Sequence, residues 1–537
     1  MKKIAKFLIV LGMMGQLSSC DYLDIVPDER AQESDTWKTE GAVRGYLYSC
    51  YGYLPANRTF GNSYWLAEEL TAVTKELFTT FKYGYYSPVS LGFTSNTWST
   101  IWNGIHQCYM FQESLKQVSN EYVTDEMKKQ YLAESNFLIA YYHFLSMRSY
   151  GPTMIIRSVI DLETPISGFP ERSSIDEVVA FINEKLDEAM SEGGLPTTWS
   201  GKDYGRATRL AALALKSRVY LYAASPLYNG NTEMYADFRS PLDGRQLIAQ
   251  EKSQAKWEIS ATQTKYAIDE VEKAKFHLYH DADAGEPSDA KPGLPNKAQR
   301  RLRYTNIDNQ TGNNPEIIWA DTRNDDYYGI QRRCPPRQTL GGKFAGISMT
   351  NCPTLQTIEA FYTKNGLPIN KDKTFDYDER YEYISAPENC DGNNYEDLVK
   401  YANFTPSSDK VMRLCTDREP RFYAWTTYHN GYFEFGKYNN EEISADPAKR
   451  AIRIHLLRDD PHGRGNRTDQ EYSISGFGNK KGVVPSAEWN VIEYPFPLFR
   501  LAELYLNYAE ALVELDRLSE AKVYLDKVRE RAGIPSV

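Results

Sequence analysis

Two stretches of this chain concentrate aromatic rings beside planar polar groups. One holds Tyr64 and Trp65, followed by Tyr83, Tyr85 and Tyr86; the other is Asn324, Asp325, Asp326, Tyr327 and Tyr328, with Arg332 close behind. A ring offers a flat apolar face, while a carboxylate, amide or guanidinium offers hydrogen bonds in a plane. Together they suit a shallow ligand site that stacks on flat apolar faces and hydrogen-bonds at its edges. Rings in loops also pack those loops onto a scaffold, and the residue types leave both roles open. With 40 Tyr, 22 Phe and 9 Trp in the chain, abundance alone does not pick out the rings that bind.

Catalytic and metal chemistry find less support. No Gly-x-Ser-x-Gly, His-Glu-x-x-His or phosphate-cradling Gly-x-x-x-x-Gly-Lys-Ser/Thr motif occurs. With 72 Asp and Glu residues, acids close in sequence do not define a glycosidase pair. His277 and His280 are spaced to sit one helical turn apart, where they could hold a metal or simply mark a solvated helix end. Asp281 to Gly285 has calcium-loop character but lacks the distal Glu, so calcium is unsupported. No catalytic residue, metal or cofactor is expected. Cys50, Cys108, Cys334, Cys352, Cys390 and Cys415 form no Cys-x-x-Cys, and both disulfides and buried free thiols stay open for them.

The start of the chain says where such a site would work. Lys2, Lys3 and Lys6 precede an apolar run from Phe7 to Leu17, and Leu17-Ser18-Ser19-Cys20 follows. That is a secretory signal peptide over residues 1–19, too short for a stable span. Leu-Ser-Ser-Cys resembles a bacterial lipobox, in which Cys20 is acylated, with palmitate-type chains, and becomes the mature N-terminus. No other window approaches a membrane span, so attachment would come through the lipid on Cys20. The formal charge of −10 grows more negative once the leader lysines are removed, which argues against nucleic acid as a partner.

The elements behind these features are mainly helical. Residues 20–32 read as a lipidated tether, and a helix is expected from about Thr36 to Tyr53. Trp98, Ile101, Trp102, Ile105 and Tyr109 recur at helical spacing and read as one buried stripe. A helix from about Asp125 to Ser149 stops at Gly151-Pro152, and Ser174 with Glu177 makes a capping box for the next. Arg206 to Ala224 is apolar around most of its circumference, as in a helix buried within a stack. Lys256 to Phe276 reads as a further helix. From 280 to 490 Gly, Pro, Asn and Asp are frequent, and this region reads as a loop-rich insertion with short strands such as Arg421 to Tyr428. Helices return over Leu498 to Glu514 and Ser519 to Arg531, where an aromatic face meets Ala521 in a tetratricopeptide-like pair. The expected organisation is a helical scaffold over 33–279, the insertion over 280–490 and a helix pair over 491–537.

Several stretches, in this order, resemble the SusD/RagB family of outer-membrane nutrient-binding lipoproteins. They are Cys20-Asp21-Tyr22-Leu23-Asp24, Ala133 to Phe144, Gly205 to Tyr222, Asn314 to Trp319, Asp417 to Phe422 and, most specifically, Phe499 to Ala511. The resemblance implies a mainly α, tetratricopeptide-like scaffold whose loop-rich region forms the ligand site. It also implies a surface-exposed protein, anchored through Cys20, that binds oligosaccharide without cleaving it and acts as the lid of a SusC-like TonB-dependent transporter. Asp directly after a lipidated Cys is an inner-membrane retention cue in many bacteria, but Asp21 to Asp24 resembles the acidic start of surface-exposed members. Ile139 stands where the family commonly has Arg. Members usually continue past the position of Val537 with a further helical segment, so a shortened chain with an uncovered apolar face on its terminal helix pair is expected. A surface scaffold that binds a protein or peptide through its helical repeats is the alternative function.

Overall fold

The computed structural model describes residues 37–56, 68–73, 84, 87, 94–161, 163–280, 282–283, 297–308, 314–323, 329–336, 339–340, 343–344, 349–385, 410–434, 451–460, 462–465, 472–484, 491 and 493–537. Cys20 and its tether lie outside them, as do Cys390 and Asp281. The fold is mainly α. Among the described residues eight helices make up the stack: α1 (Glu40–Tyr51), α2 (Thr94–Leu115), α3 (Asp125–Tyr150), α4 (Ile175–Ala189), α5 (Arg209–Ala224), α6 (Gln254–Lys273), α7 (Leu501–Glu514) and α8 (Leu518–Arg531). Each packs on the next, and the contact of α6 with α7 closes the stack across the insertion.

Local chemistry sets the helix ends. Thr39, Thr124 and Thr208 accept from backbone N–H groups of α1, α3 and α5, and Ser174 with Glu177 forms the expected capping box of α4. Gly151 ends α3 at φ 71°, a conformation that other residues adopt only under strain. Within the stack Phe137, Phe144, Ile182, Leu215 and Trp257 belong to one continuous apolar core. Helix α5 is buried on most of its circumference, as its Ala-rich sequence implies. Ala521 is buried at the α7–α8 crossing, while Leu506, Val513, Leu518 and Val523 on the same pair are exposed.

The insertion is held by short antiparallel pairs. Leu70–Thr71 pairs with Cys352–Pro353, Tyr383–Ser385 with Lys410–Met412, and Tyr432–Glu434 with Ala451–Arg453. A separate apolar cluster gathers Ile358, Leu414, Phe422, Tyr423 and Phe477.

Two expectations are corrected. The strand read from Arg421 to Tyr428 is a helix over Pro420–Trp425, and only Thr426–Thr427 is extended, paired with Gly478–Asn479. Its aromatics favour strands, but Pro420 sits in the first helical turn, where its fixed φ and missing N–H fit. The helix expected from Leu498 begins at Leu501. Phe496–Arg500 (β2) instead pairs antiparallel with Ile317–Asp321 (β1). Glu316, just before β1, imposes that switch: its carboxylate accepts from Arg500 Nη1 at 2.9 Å, and its carbonyl accepts from the Leu501 N–H at 3.0 Å. This two-strand ladder forms the neck between stack and insertion. Among the described residues Cys50, Cys108, Cys334, Cys352 and Cys415 are free, buried thiols.

Candidate functional site

Of the residues singled out for sugar recognition, Tyr64, Trp65, Tyr83, Tyr85, Tyr86, Asn324, Asp325, Tyr327 and Tyr328 lie outside the described residues. Their flanks are described, and one side chain joins them. Arg323, directly before the second stretch, donates to the carbonyls of Leu54 at 2.9 Å and Pro55 at 3.0 Å, the positions leading into the first. Asp321 at the end of β1 holds the same guanidinium at 2.7 and 2.9 Å. A five-donor guanidinium suits this task, since it can satisfy several carbonyls and a carboxylate at once.

Further segments converge as well. The Thr354 N–H and Oγ1 donate to the carbonyls of Glu69 and Glu68, at 2.9 and 3.0 Å, between the two halves of the first stretch. The Asn351 N–H donates to the Arg333 carbonyl at 3.0 Å, in the helical turn Ile330–Arg333 that follows the second stretch. Arg332, the described member of the candidate set, is half-buried in that turn. Arg323 thus links the segments that lead into both aromatic stretches, and residues 351–354 hold both the segment between Trp65 and Tyr83 and the turn after the second stretch.

Two ring-walled clefts flank the neck. One of about 270 Å³ borders β2 and is lined by Pro55, Tyr141, Tyr222, Arg148, Arg218 and Asn507. Arg218 lies 4.1 Å from the centre of the Phe499 ring and makes a two-point pair with Glu503 at 2.5 and 2.6 Å. Burial alone would lower the pKa of Arg218, and Glu503 raises it past its ordinary value. Arg148 is exposed at this cleft, so it is available to a ligand oxygen. The other, about 300 Å³, borders β1 and includes Trp199, Tyr204, Arg206, Lys275, Phe276 and Asn314. Trp199 stacks on Arg206 at 4.1 Å and donates from Nε1 to the Ala207 carbonyl at 2.9 Å. Burial, then the nearby Asp308, push Tyr204 up to about 12, so it remains a neutral hydroxyl at physiological pH.

The quoted motifs supply the frame. Glu134, fully buried in α3, pairs with Arg206 and accepts from the Tyr51 hydroxyl at 2.6 Å. Burial raises the pKa of Glu134, and Arg206 and Tyr51 oppose that rise. Glu316 is fully buried and takes Arg500 together with Arg531 from the end of α8. Arg418 donates to the carbonyls of Leu414, Ile358 and Phe361 at 2.7, 2.7 and 2.6 Å. No local charge pattern announces these links, since Glu134 is followed by Ser135 and Asn136, and Arg418 sits between Asp417 and Glu419.

His277 and His280 follow the end of α6 and are exposed, not one turn apart on a helix. Lys275, at φ 72°, turns the chain out of the helix before them. Trp98 packs edge-on against Trp102 and Tyr150, in keeping with its place in the scaffold.

Residues 315–537 match a family model described as SusD family, and residues 21–221 match one described as starch-binding, associating with outer membrane. A solved structure named BT4246 is 29% identical at a TM-score of 0.75, covering 93% of this chain and 83% of that one. A SusD-like protein from Bacteroides fragilis is 20% identical at 0.64, covering 95% and 82%. Surface glycan-binding protein A from Bacteroides fluxus is 18% identical at 0.53, covering 93% and 82%. These last two show the fold alone. No curated protein matches the chain. The chain belongs to the SusD/RagB family. Among the described residues no helix is long and apolar enough to cross a membrane.

Proposed function

We propose that this protein is a cell-surface, glycan-binding lipoprotein that captures oligosaccharide or polysaccharide and delivers it, uncleaved, to a SusC-like TonB-dependent transporter. Acyl chains on Cys20 anchor it in the outer leaflet of the outer membrane. The carrying observation is the shared anchorage of the two aromatic stretches by Arg323, in a chain whose family includes a starch-binding model. Stacking rings from Tyr64, Trp65, Tyr83, Tyr85, Tyr86, Tyr327 and Tyr328 supply affinity, and Asn324, Asp325 and Arg332 supply hydrogen bonds to hydroxyls. The surface clefts beside the neck extend the same chemistry.

Calorimetry or depletion binding against a polysaccharide panel tests this. Binding to at least one glycan is expected, weakened about tenfold or more by paired Tyr→Ala changes in either stretch, since one stacked ring contributes about 1 kcal/mol or more. A panel with no binder, or unchanged binding in every ring variant, defeats the reading. Released sugar products would make the protein a hydrolase instead. Co-purification is expected to bring down a large β-barrel transporter, whereas a soluble or surface protein in its place would favour the helical-repeat scaffold. Cys20→Ala is expected to free the protein from membranes, and continued membrane binding would remove the lipid anchor from the proposal.

A further inference from the structure

His429, His455 and Asp460 bring one ligand atom each to within 4.8 Å of one another, in a corner of the insertion far from the neck in sequence. The fold builds that corner in three steps. Asn430 and Ile454 continue the pairing of Tyr432–Glu434 with Ala451–Arg453, through Asn430 N–H to the Ile454 carbonyl at 2.7 Å. His429 and His455 therefore flank the open end of one hairpin. The chain then turns back on itself, and the Leu457 N–H fixes Asp460 Oδ2 at 2.8 Å. Gly463 makes this turn possible, because a Cβ there would fall 1.9 Å from the Leu457 carbonyl oxygen.

The surroundings orient the rings. His455 donates its backbone N–H to Nδ1 of His462 at 3.0 Å, so three of the chain's seven histidines meet here. His429 Nδ1 accepts from the Leu456 N–H at 3.1 Å and lies 3.5 Å from Asp460 Oδ2. The Tyr383 ring stands edge-on to His429, with ring centres 6.3 Å apart. His429, His455 and Asp460 are half-buried, which leaves solvent access for an ion.

We propose that His429, His455 and Asp460 bind a divalent transition-metal ion of the zinc class, with water in the remaining position. Two imidazole nitrogens and one carboxylate match zinc, copper or nickel, whereas calcium and magnesium take oxygen ligands. Zinc bonds of about 2.0–2.1 Å place tetrahedral ligands roughly 3.3 Å apart. His429 Nδ1 and Asp460 Oδ2, 3.5 Å apart, already stand near that spacing, and His455 closes in on loading. A metal at His429 Nδ1 replaces the Leu456 hydrogen bond. The ion clamps the hairpin end to residues 455–460 in place of that bond.

Metal-stripped mature protein is titrated with Zn²⁺ against a chromophoric chelator, with Ca²⁺ and Mg²⁺ as comparisons. One equivalent of Zn²⁺ is expected to bind with micromolar or tighter affinity, and neither hard cation is expected to compete. His455→Ala and Asp460→Asn are expected to weaken binding at least tenfold. The exposed neighbour Asp459→Asn, and His277→Ala combined with His280→Ala, are expected to leave it unchanged. Failure of the wild type to bind, or loss of binding in the His277/His280 variant with retention in His455→Ala, overturns the assignment. Cobalt loading of the wild type is independent of variant folding. Intense visible bands of a four- or five-coordinate ion are expected, and the weak spectrum of aquo-cobalt would sink the proposal.

Discussion

The helical stack and the insertion it carries are stabilised in different ways. In the stack, helices satisfy their own backbone groups, and the interior is filled by rings and aliphatic chains such as Phe137, Phe144 and Ile182. In the insertion, the described strands apart from β1 are two or three residues long, and buried cations reach the carbonyls left over. Arg418 is the clearest case, with three close carbonyl partners and burial that lowers it to about 10. Arg303 Nη1 donates to the Lys480 carbonyl at 2.9 Å, and Lys480 is itself buried. Where regular structure is short, side-chain donors must complete the backbone's hydrogen bonding. Irregular regions of this kind depend on single residues more than helices do.

Arg418→Met tests that dependence with the largest expected effect. It leaves three buried carbonyls without their donor, an expected loss of about 3–5 kcal/mol. Denaturation followed by two probes is expected to show the insertion's aromatic signal melting early while helical ellipticity persists. Phe137→Ala is the matched change in the stack, of about 3–5 kcal/mol for an emptied core site, and it is expected to lower the helical transition itself. If both variants shift one common transition equally, the two regions form one cooperative unit and the contrast fails.

Acid separates the regions next. His143 lies fully buried in α3, where burial lowers it to about 4 from 6.5, against a hydrogen bond from Nδ1 to the Ile139 carbonyl. The unfolded chain takes up a proton below pH 6.5 and the folded one only below about 4, so stability is lost across that window as pH falls. The expected loss is about 3 kcal/mol, and His143→Gln is expected to flatten the profile between those limits.

In the insertion Asp372 is also lowered, but by hydrogen bonds and not by burial. Burial opposes its ionisation, but hydrogen bonds from Thr363, Thr374 and Asn365 win and lower it to about 2. Its contribution is present above the unfolded carboxylate range and is lost only as pH falls through about 2. Asp372→Asn is expected to destabilise by about 1–2 kcal/mol at pH 7, with the difference from wild type vanishing near pH 2. Unfolding free energies measured from pH 7 to 2 should therefore show a stack-linked loss first and an insertion-linked loss second. A single acid transition with no His143 dependence would break that order.

The two regions also differ in how far their sequences disclosed them. Helix α4 was legible from its 3.6-residue apolar period and Ser174-Glu177 cap, α3 from its Gly151-Pro152 stop, and α5 from its all-round apolar sequence, since these signals act within one segment. The helix at Pro420 carries a local signal, proline in its first turn, that its strand-favouring aromatics mask, whereas strand β2 was misread because a long-range partner decides it. Glu316 selects Arg500 from far along the chain, and no local pattern encodes that choice. At the site, ring-rich composition pointed to both aromatic stretches. Their common root at Arg323 could not be read, because an Arg between Thr322 and Asn324 looks like any surface cation. His429, His455 and Asp460 likewise have no sequence spacing that announces them.

The smallest effects compare two helix caps, and they separate stability from function. Ser174 caps α4 alone, accepting from the Glu177 N–H and donating to its carboxylate. Thr354 caps the short helix Leu355–Ala360 by accepting from the Thr357 N–H at 3.2 Å, and its hydroxyl also lies 3.0 Å from the Glu68 carbonyl. Either residue changed to Ala is expected to destabilise by about 1 kcal/mol, the usual loss for a side-chain cap. Only Thr354→Ala also releases a tie between the two halves of the first aromatic stretch. Its glycan affinity is expected to fall a few-fold, while Ser174→Ala binds as the wild type does. Paired calorimetric titrations at a temperature where both variants remain folded make the comparison. Equal binding in both would mean that the anchor at residues 351–354 supports the fold without shaping the ligand surface. A loss confined to Thr354→Ala would tie the insertion's side-chain hydrogen bonds directly to recognition.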